Sequence, residues 1–467
     1  MIALEAESRI PLYEQLYAAL AEEIRTGALA PGSALPGRRT MAARLGVSVN
    51  TVDAAYQMLA AEGLAESHPR SGFYVQETGG MLYPRPPVTA SLPAAQPSLP
   101  DAPRFDLSTG SIDTALFPAR SWGRIQKELL YQCPELLQRG EMQGDADLRT
   151  EIAAYLRDSR GVDCTPEQIV VGAGIEYLLG CLAHLFNNSV AAIENPGYGR
   201  TRAVLQNSGI RCVPVDIDKS GLPVQGLIAS GANLCYITPS HHFPTGVTMP
   251  APRRAQLLAW AAEVPGRFLL EDDYDSEFRF DTRPLPSLQG MAGPHGPVIY
   301  LTTFSKSLAP GIRIACMVLP QPLLARYRQD FSVYANTVSR FEQQTLRRFI
   351  SEGYFSRHIA RMRLAYKRRM EAFGRALRAE LGPALRLGST HSGLHFLLTL
   401  PGAGGEAAMV RAAAAQGVRL VGLSSYYMAR PELCPPDTVV AGYAGLRTED
   451  IPTVAQALRR AWLEGGT

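Results

Sequence analysis

The stretch "VIYLTTFSKSLAPGIRIACMVLP", residues 298–320, places a lysine between two apolar segments that are typical of β-strands. Lysine is rare in this chain. Four of the 46 basic residues are lysine and the rest are arginine. Arginine stays protonated in proteins, whereas a lysine amine can form an imine with an aldehyde. Lys306 therefore indicates a reactive amine, with an ordinary surface lysine as the alternative.

The side chains around Lys306 suit a phosphate group. Thr303 and Ser305 offer hydroxyls, and the planar guanidinium of Arg313 matches the geometry of phosphate oxygens. The partner of the amine is therefore expected to carry a phosphate.

Two further stretches could contribute to the same site. "GAG", residues 172–174, lies between a predicted strand and a helix, where small residues let backbone N–H groups approach an anion. An ordinary α/β turn explains it equally well. "LLEDDYD", residues 269–275, ends a predicted strand with acidic side chains, and a buried carboxylate needs a partner. Such a carboxylate could keep a heterocyclic nitrogen protonated, with a surface acidic turn as the alternative.

From residue 105 onward, short apolar segments alternate with amphipathic helices, such as residues 176–186 and 253–262. This alternation predicts an α/β domain with a mostly parallel sheet and a ligand at the carboxyl ends of its strands. The predicted strands are "QIVVGAG", "SVAAIENPG", "RCVPVDI", "NLCYITPS", "RFLLEDDY", "VIYLTTFSK" and "IACMVLP".

The first 76 residues have a separate helical pattern. Apolar residues recur every four positions from Leu12 to Ile24, and two more helices follow, joined by a turn at residues 45–47. Ser48 suits the N-cap of the last helix, and residues 65–75 predict a short hairpin. This order predicts a winged helix that binds DNA through its major groove.

A small docking domain is the alternative for this segment. Residues 1–75 hold six arginines and eight acids, a net charge of −2, whereas a basic domain is the usual footprint of DNA binding. Five of those acids lie in or before the first helix, while Arg38, Arg39, Arg44 and Arg70 flank the later helices and the hairpin. The charge distribution therefore still favours DNA binding.

A proline-rich segment separates the two parts. Residues 83–104 contain seven prolines and predict an extended tether. The expected organisation is a winged helix at 1–76, a linker at 77–104 and the α/β domain at 105–467.

Bulk properties exclude several classes of protein. The net charge is +3, and no uninterrupted apolar segment reaches the 18 residues expected of a membrane span. The seven cysteines form no C-x-x-C pair, so neither a disulfide framework nor a metal site is expected. These features predict a cytoplasmic protein without membrane contact.

The winged-helix segment resembles the GntR-type bacterial regulators, in the motifs "LPGRRTMAARLGVSVNTVDAAYQMLAAEGL" and "SGFYV". The chain has Val49 where many relatives carry arginine, and Asp53 where some carry a basic residue, so base recognition should differ at these positions. With the flanking arginines, the expected DNA-binding residues are Arg38, Arg39, Ser48, Asn50, Thr51, Arg70, Ser71 and Gly72.

The remainder resembles fold-type I pyridoxal-phosphate enzymes, and most closely the MocR group, in which a GntR winged helix precedes an aminotransferase-like domain. The motifs "FDLSTGSIDTALFPARSW", "ENPGYGRT", "TPSHHFPTG" and "EDDYDSEFRF" carry the resemblance, together with "TFSKSLAPGIRIA". It implies pyridoxal 5′-phosphate as cofactor and Lys306 as its Schiff-base lysine. Asp272, rather than Asp273, would pair with the pyridinium nitrogen, and Tyr274 would bind the phenolic oxygen. The other implied cofactor contacts are Gly172, Ala173, Gly174, Tyr198, Thr303, Ser305 and Arg313, with Arg200 close by.

Two departures from aminotransferases bear on function. The "N-P-T-G" asparagine is replaced by Phe243, which argues against efficient transamination. In aminotransferases, an arginine after the motif "G-[FY]-A" binds the substrate carboxylate. This chain has Gly445 at that position, so an amino-acid effector is not favoured. Arg447 could share the same face of an extended strand and, with Arg200, is expected to contact an effector. His241 and His242 are expected to be hydrogen-bonded turn residues.

The leading hypothesis is a PLP-dependent transcriptional regulator rather than an enzyme. It would sense pyridoxal phosphate, with or without an amine effector, and could control vitamin B6 synthesis as in the PdxR branch. The resemblance also implies a head-to-tail homodimer and an operator with two half-sites. The alternatives are an active aminotransferase with an appended DNA-binding module, a regulator of amine or amino-acid catabolism, and a docking module on a cofactor-storage domain.

Overall fold

The structure is a computed structural model that describes residues 2, 4–5, 8, 10–69, 71–77, 103–280, 285–388 and 391–464. The chain divides into two compact units, Met1–Asp101 and Ala102–Thr467. Most of the expected linker and Arg70 lie outside the described residues, so the form of the linker stays a prediction.

The smaller unit is a winged helix built from three helices and an antiparallel hairpin. Gly46 ends the second helix at φ 68°, a left-handed conformation that favours glycine, and Ser48 caps the third by accepting a hydrogen bond from the Thr51 N–H at 3.1 Å. Leu16, Tyr56 and other apolar side chains from all three helices form its core. The elements are α1 (Leu12–Arg25), α2 (Arg38–Leu45), α3 (Val49–Ala61), β1 (Ala65–His68) and β2 (Gly72–Val75).

The larger unit begins with β3 (Phe105–Asp106) and is organised around a sheet of seven strands within the described residues. Their order is β4-β10-β9-β8-β7-β5-β6, and β10 is antiparallel to its two neighbours while the other strands run parallel. All seven strands predicted from the sequence are present. They are β4 (Ile169–Gly172), β5 (Val190–Asn195), β6 (Arg211–Asp216), β7 (Leu234–Ile237), β8 (Phe268–Asp272), β9 (Val298–Thr303) and β10 (Ala315–Val318).

Helices alternate with these strands, as an α/β domain requires, and bury apolar side chains against the sheet. They are α4 (Ala119–Gln132), α5 (Ala146–Arg160), α6 (Ile175–Leu185), α7 (Gly199–Asn207), α8 (Val224–Ala229), α9 (Ala251–Glu263), α10 (Leu288–Ala292), α11 (Gln321–Asp330) and α12 (Arg340–Ser351). The described residues include no helix long and apolar enough to cross a membrane.

The C-terminal part of the larger unit packs a second, antiparallel sheet against long helices. The order of this sheet is β11-β12-β15-β14, while β13 pairs in parallel with β3. The elements are α13 (Tyr354–Leu381), β11 (Arg386–Gly388), β12 (His395–Thr399), α14 (Glu406–Ala415), β13 (Val418–Arg419), β14 (Val421–Gly422), β15 (Thr438–Gly442) and α15 (Ile451–Arg459).

Candidate functional site

A cavity of about 450 Å³ lies where the parallel strands of the large sheet end. Because the carboxyl ends of β5, β7, β8 and β9 share one edge, the segments after these strands converge there. The cavity brings together Tyr198, Phe243, Asp272, Tyr274 and Lys306, which are far apart in the sequence.

Lys306 follows β9, and its Nζ donates a hydrogen bond to the carbonyl oxygen of Thr109 at 2.5 Å. Burial lowers the pKa of this amine, and the nearby carboxylate of Asp275 acts in the opposite direction. The net lowering of the pKa makes the neutral, nucleophilic form easier to reach than in an exposed lysine.

Asp272 is the last residue of β8 and has an oxygen available for a ligand. Its Oδ2 accepts a hydrogen bond from the hydroxyl of Tyr236, while its buried Oδ1 has no partner among the described residues. Burial raises the pKa of this carboxyl to about 7. A donor placed at Oδ1 would satisfy the oxygen and favour the ionised carboxylate.

The neighbouring Asp273 makes hydrogen bonds and an ion pair inside the domain. It pairs with the buried guanidinium of Arg160 at 2.6 Å and accepts a hydrogen bond from the Tyr300 hydroxyl at 2.7 Å. Burial alone would raise the pKa of Asp273, but these contacts outweigh burial and hold it below its usual value. The negative charge of Asp273 is therefore already balanced by Arg160 within the protein.

Tyr274 and two buried side chains form a hydrogen-bonded group beside the cavity. The Nδ1 of His241 lies 3.0 Å from the hydroxyl of Tyr274 and 2.8 Å from Oδ2 of Asp275. Burial raises the pKa of the Tyr274 phenol well above its usual value. His242 contacts the hydroxyl of Thr245 at 2.7 Å. Sequence reasoning expected both histidines to be hydrogen-bonded but did not find the contact of His241 with Asp275.

Of the predicted phosphate-binding residues, Thr303, Ser305 and Arg313 line the cavity, whereas residues 172–174 lie beside Arg313 outside that lining, and the Ala173 N–H donates to the Thr337 hydroxyl at 3.0 Å. Gly174 has φ 96°, and a Cβ atom at this position would lie 2.2 Å from a guanidinium nitrogen of Arg313. The hydroxyls of Thr303 and Ser305 lie 2.8 Å apart. Glycine is therefore required for the close approach of Arg313 to the backbone of residues 172–174.

Glu176, in the first turn of α6, is a member of this group that the sequence did not reveal. Its carboxylate lies 2.9 Å from the guanidinium of Arg313 and 3.4 Å from that of Arg200. Burial tends to raise the pKa of Glu176, but its own backbone N–H and Arg313 lower it overall. Both arginines are thus already paired with an anion of the protein.

Phe243 occupies the centre of an aromatic cluster. Its ring lies 5.4 Å from that of Tyr198, 5.0 Å from Tyr426, 5.3 Å from His395 and 6.2 Å from Tyr274, each in an edge-to-face arrangement. The buried Phe243 presents no hydrogen-bonding group to the cavity.

The position of Arg447 differs from the expectation that it shares a strand face with residue 445 and contacts an effector. Strand β15 ends at Gly442, so Arg447 is not on an extended strand that faces the cavity. Its side chain is exposed and pairs with Asp450 at 2.8 Å. At Gly445, an added Cβ would lie 2.7 Å from the Cβ of Ser111, so Ser111 fills the space that a side chain at 445 would need.

In the smaller unit, α3 and the hairpin place several predicted DNA-binding residues at the surface. Arg39, Asn50 and Ser71 are exposed, and the hydroxyl of Ser71 lies 2.6 Å from that of Tyr74. Arg38 is also exposed and pairs with Asp53 of α3 at 2.5 Å, so a DNA phosphate would compete with this carboxylate for its guanidinium.

The cavity fits a pyridoxal phosphate group. Its volume is sufficient, Lys306 supplies an amine, and the unpartnered Oδ1 of Asp272 can accept from a ring N–H. The hydroxyls of Thr303 and Ser305 and the guanidinium of Arg313, which also line it, can contact a phosphate. The fold and the site together define a winged helix joined to an aminotransferase-like domain of fold type I, for which pyridoxal phosphate is the cofactor.

Comparison with known families agrees with this class. Residues 12–75 match the family of bacterial regulatory proteins called gntR, and residues 103–458 match the aminotransferase class I and II family. The chain belongs to the MocR-type regulators of the gntR family, and it is a DNA-binding transcriptional regulator.

Similar proteins share this organisation over most of their length. The transcriptional regulator YdeL of Bacillus subtilis is 40% identical over 97% of both chains. A protein named as the rhizopine catabolism regulator MocR of Rhizobium meliloti is 33% identical over 99% of this chain and 96% of its own. The pyridoxine biosynthesis regulator PdxR of Corynebacterium glutamicum is 32% identical over 91% of both.

Solved structures support the fold of the larger unit. A kynurenine aminotransferase of Pyrococcus horikoshii is similar with a TM-score of 0.68, at 24% identity over 78% of this chain and 91% of its own. At this identity the similarity establishes the fold alone.

Proposed function

We propose that this regulator binds pyridoxal phosphate in the larger unit and that the cofactor changes the affinity of the winged helix for its operator. One observation carries the proposal. A single cavity contains both the buried amine of Lys306 and the unpartnered oxygen of Asp272, in a chain that also has a gntR-type DNA-binding unit.

The residues would divide the work as follows. Lys306 would hold the cofactor covalently, Asp272 would keep the pyridine nitrogen protonated, and Tyr274 would bind the phenolic oxygen. When bound, pyridoxal phosphate supplies an aldehyde that reacts with primary amines and a ring that withdraws electrons. The ring would lie against Tyr198, and the phosphate would be held by Gly172, Ala173, Gly174, Thr303, Ser305 and Arg313, with Arg200 nearby.

The DNA-binding role of the smaller unit would follow its fold. Helix α3 would enter the major groove and the hairpin would contact the backbone. A head-to-tail homodimer would then bind an operator with two half-sites, in the cytoplasm. The contacts would come from Arg38, Arg39, Ser48, Asn50, Thr51, Arg70, Ser71 and Gly72.

Phe243 supports sensing over catalytic turnover. An apolar ring at this position offers no hydrogen bond to a reacting ligand, and its four aromatic neighbours leave it fixed. We therefore propose that the domain does not work as an efficient aminotransferase. Control of vitamin B6 synthesis is one candidate role, because PdxR is a relative, and control of amine catabolism is the other.

A gel shift on the DNA upstream of the gene, with and without pyridoxal phosphate, tests the proposal. We expect binding of this DNA and a change in affinity on adding the cofactor. Lys306→Ala should bind the same DNA without responding to the cofactor. An affinity that is identical at all cofactor concentrations would overturn the sensing role, and rapid multi-turnover formation of keto acids would instead favour an aminotransferase.

A further inference from the structure

Helix α13, far from the cavity lining in sequence, concentrates the positive charge of the chain. Its 28 residues include eight basic and two acidic side chains, a net charge of +6, while the whole chain has a net charge of +3. The rest of the chain is therefore net negative. A local excess of this size creates a positive potential that attracts anions to this part of the surface.

Four arginines of α13 form a straight row on the side of the helix that faces away from the core. The side chains of Met362, Tyr366 and Phe373 on the other side are buried in the C-terminal core. At 3.6 residues per turn, the four arginines lie within about 40° of one another around the helix and span about 27 Å along it. This arginine row consists of Arg357, Arg361, Arg368 and Arg375, all of them exposed.

No carboxylate among the described residues pairs with the arginine row. By contrast, the buried Arg369 of the same helix pairs with Asp113 at 2.6 Å. Within the described structure, Arg357 and Arg361 contact only neutral groups, and the other two members of the row have no hydrogen-bond partner. An external anion can therefore meet these guanidinium groups without breaking an ion pair of the protein.

The shape and chemistry of the arginine row fit a long polyanion. Guanidinium groups bind phosphate oxygens through paired hydrogen bonds, and four of them in line suit a ligand whose charges are also in line. Double-stranded DNA is such a ligand, and a row of about 27 Å extends along about eight base pairs at 3.4 Å each. The chain already binds DNA through its gntR-type unit, so DNA is present at high local concentration.

Other kinds of macromolecule fit this surface less well. Along α13, all of which the structure describes, Leu364 is the one large apolar side chain that is exposed. Protein interfaces have a core of aromatic and apolar side chains, which this face lacks. A helix that lies on a membrane inserts its apolar side into the lipid, whereas the apolar side of α13 is already buried in the protein.

We infer that the arginine row of α13 binds the phosphate backbone of double-stranded DNA, as a second DNA contact of this regulator beside its winged helix. A backbone contact adds affinity and salt dependence but carries no sequence information. The aminotransferase-like unit is then part of the DNA-binding surface as well as the holder of the cavity. This contact does not depend on a cofactor, so it can be present or absent whatever the outcome for pyridoxal phosphate.

The salt dependence of DNA binding provides the test. Fluorescence anisotropy would follow the full-length protein on the DNA upstream of its gene, and on a duplex of shuffled sequence, at several salt concentrations. The triple variant Arg361→Gln, Arg368→Gln and Arg375→Gln keeps good helix-forming residues in α13. We expect it to bind both duplexes at least about ten-fold more weakly, with the slope of log affinity against log salt reduced by about three, because each phosphate contact contributes about 0.9.

A second triple variant separates the row from net charge. Arg157→Gln, Arg326→Gln and Arg411→Gln removes the same charge from exposed positions on α5, α11 and α14. We expect its slope to change by less than about one. An unchanged slope in the row variant, an equal loss in both triple variants, or a loss confined to the upstream duplex would overturn the inference.

A gain of affinity should accompany removal of the acid beside the row. Glu371 is exposed on α13 between Arg368 and Arg375, so Glu371→Gln should bind DNA about two-fold more tightly, an effect that a damaged fold cannot produce. Glu151→Gln on α5 is the matched control. Unchanged or weaker binding by Glu371→Gln would contradict a polyanion on this face. If the row variant changes its oligomeric state in light scattering but keeps its DNA affinity, the row instead contacts a second copy of the chain.

Discussion

The carboxylate of Glu176 lies 2.9 Å from the guanidinium of Arg313, in the place where the phosphate of a bound cofactor is expected to meet the same arginine. Glu176 also holds Arg200 at 3.4 Å. The protein therefore contains an anion that competes with the phosphate for one guanidinium.

Removal of this competing charge should strengthen cofactor binding. We expect Glu176→Gln to lower the Kd for pyridoxal phosphate about two- to five-fold, because a partly exposed ion pair is worth up to about 1 kcal/mol. The affinity for pyridoxal, which has no phosphate, should not change. Equilibrium dialysis would measure both, with Glu128→Gln on α4 as the matched control. Weaker phosphate binding would instead mean that Glu176 positions Arg313 for the ligand.

Lys306 should be required for the covalent form of the cofactor. Lys306→Ala is expected to lose the visible absorption band of the lysine adduct and to bind pyridoxal phosphate at least about ten-fold more weakly. Lys127→Ala, on the exposed face of α4, should retain both properties. Absorption spectra of dialysed protein measure the band, and circular dichroism checks the fold. A retained band in Lys306→Ala would refute the assignment.

Asp272 should make the stability of the cofactor-free protein depend on pH. Burial raises its pKa from 3.8 to about 7, so between these values the folded state keeps a proton that the unfolded state releases. The contribution of Asp272 to stability is therefore present at low pH and lost as pH rises through about 7. The expected loss is on the order of 4 kcal/mol, because the folded and unfolded pKa values differ by about three and each pKa unit is worth about 1.4 kcal/mol.

Asp272→Asn tests this dependence. The cofactor-free variant should be more stable than wild type at about pH 8 and little different at about pH 4, in thermal unfolding followed by fluorescence. The same variant should bind pyridoxal phosphate more weakly, because an amide cannot stabilise a protonated pyridine nitrogen as a carboxylate does. Identical pH profiles for the two proteins would contradict the raised pKa.

Arg39 should contribute to DNA binding without affecting the cofactor. It is exposed at the start of α2, and loss of one phosphate contact should weaken DNA binding about three- to ten-fold and reduce the salt dependence by about one ion. Fluorescence anisotropy at several salt concentrations measures both effects. Arg25→Ala, at the end of α1, is the matched control. A parallel loss of cofactor binding in Arg39→Ala would show that the two units are not independent.

Asp53 should restrain DNA binding. Its carboxylate pairs with Arg38 at 2.5 Å on an exposed surface of the winged helix. Asp53→Asn would free this arginine and remove a negative charge from α3, so we expect about two- to five-fold tighter DNA binding. The double variant Asp53→Asn with Arg38→Ala should lose most of that gain. Weaker binding by the single variant would indicate that Asp53 itself reads a base.

The sequence predicted the large sheet well because most of its strands, all but the edge strand β6, are buried on both faces and appear as apolar runs. It did not predict the C-terminal sheet, whose strand β14 has two residues, or the equally short β13, which pairs with β3, because strands of two residues have no readable period. The winged helix was recognisable because Gly46 and Ser48 carry local signals for the turn and the cap.

The contacts within the site were harder to predict. Glu176 and Arg313 are 137 positions apart, and the contact depends on the packing of α6 against the loop after β9. Asp272 and Asp273 are adjacent and chemically identical, yet the structure commits only Asp273 to Arg160. Arg447 was misplaced because the chain leaves the strand at Gly442. Long-range packing decides each of these points, and local pattern does not encode it.

The packing of Ser111 against Gly445 also constrains how ligand preference can evolve. A Cβ at 445 would lie 2.7 Å from the Cβ of Ser111, so a larger side chain there alone should be harmful before it is useful. Because the atom in the way is the Cβ of Ser111, only glycine at 111 removes it, and that change must come first or at the same time. The effect of a substitution at 445 that would bind a carboxylate therefore depends on the residue at 111. The two positions should change as a pair.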